Sequence, residues 1–369
     1  MEPSKELQVI RLDQADPLER GRAYGEWARA RIGRILEVYK EAFGSRAGED
    51  WPAIVARGRS LMPYVERFAP DLLREVEGIA QGAGRSLEEI FLLNARSEIL
   101  FSAKALGLEC TSLLALPEAT ANGSTLLAQN WDWMPAARDC QVRLEISGRA
   151  GIPPIVTFTE AGQLAKIGMN GAGVGLTVNN LASDQPRAGV PWIFITRRIL
   201  ESGSFARALG AVLNAPRAHS MNFVIAHAMG EGANLETAPV DEHVLWAEGG
   251  VLAHTNHYLQ QSARFRDLKP LWDAYPSTYL RLRRASQGLA SARGKIDVGV
   301  LQEILRDHMD RPYSVCMHEN MELPLVERSA TCLSIVMDLT ARRIHLAVGN
   351  PCEAAYETLD VQRLLDWAG

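Results

Sequence analysis

The chain has 369 residues and a formal net charge of −5, enough for a large buried core in one large or two average domains. Its apolar and charged content is that of an ordinary soluble globular protein, and mild acidity without a basic stripe argues against a nucleic-acid partner. Five scattered cysteines, Cys110, Cys140, Cys316, Cys332 and Cys352, form no CxxC pair, which argues against a disulfide framework and a structural zinc site. Met1–Leu7 has no apolar stretch of the kind found in a signal peptide, and no apolar run reaches membrane-spanning length. A reducing cytoplasm is therefore the expected location, with no membrane partner.

In chain order, residues 18–43 predict an amphipathic helix, with Ala28, Ile32, Ile35, Leu36, Tyr39 and Phe43 on one face. A second helix follows Pro70-Asp71 and ends at Gly82 and Gly84. Ser86-Leu87-Glu88-Glu89 is a capping-box signature for a third helix, running to about residue 103. After Cys110 the texture changes to short β-prone segments: 111–116, 125–130, 142–147, 155–159, 164–167 and 173–179, separated by turns such as Ala121-Asn122-Gly123. Residues 191–213 read as helical. Strands resume at 221–226, 234–238, 243–248 and 251–254, helices at 275–290 and 297–308, and strands at 330–338 and 343–348. Runs of strands set apart from runs of helices predict an α+β fold built on an antiparallel meander. With no repeat or long linker, one compact unit over 1–369 is expected.

Several short stretches carry chemistry. Cys110 is followed by Thr111 and Ser112 at the start of a strand; the residue type alone fits a buried structural cysteine as well as a nucleophile. Gln129-Asn130-Trp131-Asp132-Trp133 sets a carboxylate between two tryptophans, either as a core strand end or as a buried functional group. His254-Thr255-Asn256-His257 has metal-like spacing but follows a strand and lacks a third ligand, so Asn256 is the residue of interest, as a side-chain oxyanion donor. Asn222–Thr237 reads as a hairpin carrying Glu236 in an apolar strand, on a solvated face or in a functional role. Arg328, just before a late hydrophobic strand, fits an edge charge or a bidentate carboxylate partner. Asn170–Gly175 does not open a helix and reads as a β-turn; no phosphate-binding loop and no GxSxG occurs.

Taken together, Glu109-Cys110-Thr111-Ser112, Gln129–Trp133, Asn222–Glu236 and Thr255-Asn256-His257 resemble, in this order, the acyl-coenzyme A:6-aminopenicillanic acid acyltransferase family. This is the C45 peptidase family of the N-terminal nucleophile (Ntn) hydrolases. Arg20–Glu26 and Asn94–Glu98 support the match. The resemblance implies a four-layer αββα sandwich of two antiparallel sheets between helical layers. It also implies a zymogen that cuts itself autocatalytically at Glu109–Cys110. The products would be a helical α-chain of 109 residues and a β-chain of 369 − 109 = 260 residues. The chain departs from the family's penicillin enzyme in carrying Glu109 where that enzyme has Gly, and His219 and Ser220 where many relatives carry small residues.

The implied chemistry is that of a cysteine amidohydrolase, thiol protease or acyltransferase. Cys110 attacks the amide or thioester of a small N-acyl compound, its own α-amino group taking the thiol proton. Asn256 and a backbone N–H hold the oxyanion. Asp132 and Arg328 orient amine and substrate, with the Thr111 hydroxyl in support, while Ser112 is read as ordinary strand packing. Acyl-coenzyme A serves as a donor substrate rather than a cofactor; penicillin-type amides and β-alanyl amines are further implied substrates. No cofactor or metal is expected. A peptidase on short peptides, or a non-catalytic protein that keeps the fold for binding, are the other readings.

Overall fold

The computed structural model describes residues 7–47, 50–100, 110–269 and 276–367. The first third is helical apart from one strand, β1 (Gln8–Leu12): α1 (Pro17–Ala47), α2 (Trp51–Arg59), α3 (Met62–Phe68), α4 (Pro70–Ala83), α5 (Leu87–Asn94) and α6 (Arg96–Leu100). The predicted third helix is thus two. Its capping box is present, Ser86 Oγ accepting from Glu89 N–H and Glu89 reaching back to the Ser86 amide. The helix stops at Ala95, and its predicted extension past residue 100 lies outside the described residues.

Strands then follow as β2 (Cys110–Ala115), β3 (Leu126–Trp133), β4 (Gln141–Ile146), β5 (Ile155–Glu160), β6 (Ile167–Asn170) and β7 (Val174–Asn180). Two helices, α7 (Trp192–Leu200) and α8 (Phe205–Leu213), replace the single predicted one, because Ser204 caps a new start through Arg207 N–H. The chain continues through β8 (Met221–His227), β9 (Glu231–Ala238), β10 (Asp241–Trp246) and β11 (Val251–His254). It closes with α9 (Ser277–Ser291), α10 (Val298–Leu305), β12 (Ala330–Asp338), β13 (Arg343–Val348) and β14 (Glu357–Asp360). The predicted strand at 164–167 begins only at Ile167, and the glycine-rich 170–175 segment is the β6–β7 turn, with Gly173 at φ +91°.

These strands make two sheets. One has eight strands in the order β1-β4-β5-β6-β7-β8-β9-β10, the other six in the order β11-β2-β3-β12-β13-β14. Pairing is antiparallel except that β1 joins β4 in parallel, a departure from the expected all-antiparallel meander. β1 is delivered from the far end of the helical third rather than by a hairpin. The sheets face each other through β2, β3 and β7. At this face Gln129 on β3 donates Nε2–H to Val178 O (2.5 Å) and accepts from Val178 N–H (3.1 Å), one carboxamide joining the sheets across a buried core. α7 and α8 cover the larger sheet, α9 and α10 the smaller. The predicted αββα layering is what the chain adopts.

The helical third is held by close packing and buried charge. α1 and α4 cross at glycines: a Cβ on Gly25 meets Ile79 O at 2.2 Å, and one on Gly78 meets Leu18 O at 2.1 Å. Arg20 and Arg197 both pair with Glu75 (2.7 and 3.1 Å) in full burial, a network in which removing one partner typically costs about 3–5 kcal/mol. The Arg20–Glu26 stretch is therefore accounted for by helix packing. Gly25→Ala should lower the denaturant midpoint by an amount equivalent to at least about 1–3 kcal/mol. Gly44→Ala on the same helix, whose Cβ meets nothing within 4 Å, should raise stability by about 0.5–1 kcal/mol. Equal effects of the two would contradict the packing argument.

Candidate active site

Cys110 opens β2 and pairs in register with Trp131 on β3, so the two side chains share the face turned into the space between the sheets. The thiol is buried. Burial pushes it up to about 11; Asp132 adds to this, while Lys166 and hydrogen bonds from the Asp132 backbone and the Gln129 side chain oppose it. Asp132, next along β3, is also buried. Its Oδ1 accepts from Thr331 Oγ1 at 2.6 Å, across the β3–β12 register that sets Thr331 opposite it. Its Oδ2 has no partner among the described residues. Burial pushes this carboxyl up to about 8, against the pull of Thr331 and Lys166.

Asn256 follows β11, the strand that flanks β2. Its Oδ1 accepts from Cys110 N–H (2.7 Å) and from Arg281 Nη2 (3.1 Å), and its Nδ2 donates to Asn180 O (3.0 Å). Two donors on one oxygen fix the orientation of the carboxamide. The expected oxyanion donor group is thus already spent on Asn180, and it is the carbonyl that faces Cys110. Arg281, from α9, also donates through Nη1 to Cys110 O (2.8 Å) and Thr111 Oγ1 (3.0 Å). No neighbouring motif flagged Arg281 in the sequence; it comes from a helix 171 positions away.

Arg328 was expected to be the site arginine. Instead it donates to Leu323 O (2.9 Å) and pairs with Glu319 (3.5 Å) in its own loop. The guanidinium that reaches Cys110 is that of Arg281. Glu236 is buried and paired, not solvated: it accepts from His254 Nε2 (2.8 Å) and from the amides of Leu259 and Gln260 (2.6 and 3.0 Å). It braces the turn that carries Asn256. His254 Nδ1 faces Thr255 O (2.8 Å), and His257 Nδ1 sits on Thr278 Oγ1 (2.9 Å), so both rings are occupied in hydrogen bonds. Ser112 Oγ, buried, has no partner among the described residues. Glu109, on the other side of the expected cleavage bond, lies outside the described residues.

Sequence reading also missed Lys166, Asn180 and Arg96. Lys166 Nζ lies 3.2 Å from the centre of the Trp131 ring and is drawn down to about 7 by burial, with Cys110 pulling the other way. A pocket bounded by Arg96, Cys110, Trp133, Lys166, Val178, Asn180, Trp192 and Met221 encloses about 20 Å³, room for roughly one water. Asn180 Oδ1 faces His219 Nε2 at 2.9 Å. Burial, with a smaller push from Arg96, holds His219 down at about 3, so at neutral pH its ring is uncharged, and in the Nε2–H tautomer this nitrogen donates. With Oδ1 on the histidine, Asn180 Nδ2 has no hydrogen-bond acceptor among the described residues and lies at the wall of the pocket. Arg96 Nε donates to Glu160 (2.8 Å) and its guanidinium stacks 4.0 Å from the centre of a Trp133 ring; Arg96 Nη2 and Trp192 Nε1 have no acceptor among the described residues.

A buried thiol, a fixed backbone nitrogen, a lysine, a carboxyl of raised affinity for protons and unspent donors are thus gathered at one place between two sheets. The family model described as acyl-coenzyme A:6-aminopenicillanic acid acyl-transferase matches residues 119–353, and the chain belongs to that family of acyl-transferring enzymes. The acyl-coenzyme A:6-aminopenicillanic-acid-acyltransferase 40 kDa form of Emericella nidulans is 27% identical over 341 residues, 92% of each chain. Among solved structures, penicillin V acylase from Agrobacterium tumefaciens matches at 14% identity and TM-score 0.45, over 65% of this chain and 83% of that one. Conjugated bile acid hydrolase from Clostridium perfringens (variant R18L) matches at 14% identity and TM-score 0.47, over 70% and 95%. No described helix is long and apolar enough to cross a membrane.

The charges around Cys110 give opposite signs for two substitutions. Lys166→Met removes the group that favours the thiolate and should slow alkylation of Cys110 by iodoacetamide, most at and below about pH 7, where the lysine is charged. Asp132→Asn should speed it, with the difference from wild type growing above pH 8, where the carboxyl is charged. Peptide mass spectrometry of the Cys110 adduct against time and pH reads both.

Proposed function

We propose that the chain is a self-processing N-terminal cysteine amidohydrolase or acyltransferase acting on small N-acyl amides or thioesters through an acyl-Cys110 intermediate. The observation that carries this is the seat of the Cys110 nitrogen: Asn256 Oδ1 accepts its N–H while the Arg281 guanidinium holds Cys110 O. In the uncut chain, Cys110 Sγ attacks the carbonyl carbon of Glu109, the C–N bond breaks, and water hydrolyses the resulting thioester. The freed nitrogen becomes an α-amine of reference pKa about 8. Asn256 takes one N–H, and the lone pair then faces the thiol as its base. Attack on a substrate carbonyl gives a tetrahedral oxyanion, its collapse an acyl-thioester on Cys110. Water completes hydrolysis; an amine completes transfer.

Asn180 Nδ2, held by His219, is the oxyanion donor of this reading in place of Asn256. The pocket holds only about one water, but its walls of Trp133, Trp192, Val178 and Met221 are apolar, and Arg96 Nη2 and Trp192 Nε1, unpaired among the described residues, suit an acceptor atom at its inner end. Acyl-coenzyme A enters as a donor substrate through the family; the relative of Emericella nidulans is named for that chemistry.

Intact mass of the purified protein should resolve two polypeptides parted at Glu109/Cys110, and Cys110→Ala should remain one. A wild-type chain that is active while uncut would sink the free-amine mechanism. Asn180→Ala should lower kcat by about 10²–10³-fold with little change in KM. His219→Ala should do so more weakly, with partial rescue in His219→Gln. Added amine should divert the acyl group into amide product if the enzyme is a transferase.

A further inference from the structure

A second cluster lies in the loops behind the smaller sheet, outside the Cys110 pocket. After α10 the chain passes His308 and returns as Cys316-Met317-His318; after β13 it reaches Cys352. One donor atom from each of His308, Cys316, His318 and Cys352 lies within 4.8 Å of all the others. The edges are 3.6 Å for Cys316 Sγ to Cys352 Sγ, 3.6 Å for Cys316 Sγ to His318 Nε2, 3.4 Å for Cys352 Sγ to His318 Nε2, and 3.2 Å between the two Nε2 atoms. A tetrahedron about Zn²⁺ with bonds of about 2.3 Å to sulfur and 2.0–2.1 Å to nitrogen has S–S, S–N and N–N edges of about 3.8, 3.6 and 3.3 Å. The four distances match within a few tenths of an ångström.

We propose that His308, Cys316, His318 and Cys352 form a structural zinc site. Two thiols and two imidazoles are a soft, borderline donor set suited to Zn²⁺ rather than to Mg²⁺ or Ca²⁺. All four corners are protein atoms, which leaves no open position for chemistry. Metal binding takes the ring proton off His318 Nε2 and leaves it on Nδ1, which has Glu353 Oε1 3.6 Å away as an acceptor. Arg311 Nη2, now 3.2 Å from that nitrogen, gives way. Asn350 Nδ2–H points at Cys316 Sγ (3.7 Å), the kind of outer contact that orients metal ligands. His308 and Cys352 are exposed while Cys316 and His318 are buried, so the ion has a route in.

The site bears on the Asp132 carboxyl. Met317, between two of the ligands, donates its N–H to Thr331 Oγ1 (3.0 Å), and its carbonyl accepts from Thr331 N–H (2.9 Å) and Asn350 Nδ2 (2.6 Å). With its oxygen so occupied, the Thr331 hydroxyl turns its proton to Asp132. Zinc would clamp the segment that orients Asp132. The scattered cysteines argued against zinc in the sequence because His308 and Cys352 join Cys316-x-His318 only through the fold.

Elemental analysis of untagged full-length protein, produced with zinc in the medium and passed through gel filtration, should give about one zinc per chain. Replacement by Co²⁺ should give the visible bands of a tetrahedral ion with a thiolate charge-transfer band. Cys352→Ser and His308→Ala, both at exposed positions, should each lose most of the zinc, and chelator should lower the Tm of wild type but not of the double variant. Zinc at background in wild type, zinc unchanged in the double variant, or a Cys316–Cys352 disulfide in unreduced peptides would each overturn the assignment. Should the variants fail to fold, the wild-type stoichiometry and cobalt spectrum decide alone. Metal content is read independently of self-cleavage, so this test does not share the fate of the Cys110 mechanism.

Discussion

The site is organised around one hydrogen bond, from the backbone nitrogen of Cys110 to Asn256 Oδ1. It ties the first residue of β2 to the turn after β11, and everything else at the centre is placed with respect to it. Arg281 needs the same Asn256 oxygen to be aimed at Cys110 O. The Asn256 amide, turned the other way, reaches Asn180 on β7 and so links the two sheets at the mouth of the pocket. A buried N–H must find an acceptor, and here the acceptor is a side chain rather than a neighbouring strand. That leaves the nitrogen held whether it belongs to a peptide or to an amine.

The second constraint is the cost of burying charge between sheets. Glu160 meets it by gathering Tyr39 Oη, Arg96 Nε and Gln163 Nε2 within 2.8–3.0 Å. Arg96 is also stacked on Trp133, whose Nε1 donates to Tyr39 Oη (3.1 Å). This network runs from α1 and α6 into both sheets. The helical third is thus bonded to the strands by interactions that do not depend on the peptide link before Cys110. Lys166 and Asp132 meet the same cost differently, each displaced in its proton affinity toward the uncharged form.

Much of the α+β layout was legible because strand and helix periodicities differ and turns carry Gly, Asn and Pro. β12 and β13 fall within the predicted spans, and β8–β9 is the expected hairpin, with Asn222 opposite Glu236. β1, α2, α3 and β14 escaped the reading: β1 and β14 are short edge strands, and α2 and α3 are short helices joined with little turn chemistry between them. Edge strands of four or five residues give almost no alternation to detect. Glu236 and Arg328 show the same limit for charges. A carboxylate in a strand and an arginine before one carry no mark of which is braced in the core and which serves its own loop.

What the sequence determined by itself was the local setting of Cys110, the strand pair that sets Trp131 opposite it, and the α+β layering, because these rest on residue types at short spacing. Which arginine attends Cys110, which face of Asn256 meets it, and that Lys166, Asn180 and His219 belong to the site were decided only by the tertiary structure. So was the meeting of His308, Cys316, His318 and Cys352. The physical reason is common to all of them. These groups come from separate elements, and their roles depend on burial and on which hydrogen-bond partners are already taken, which spacing along a chain does not encode.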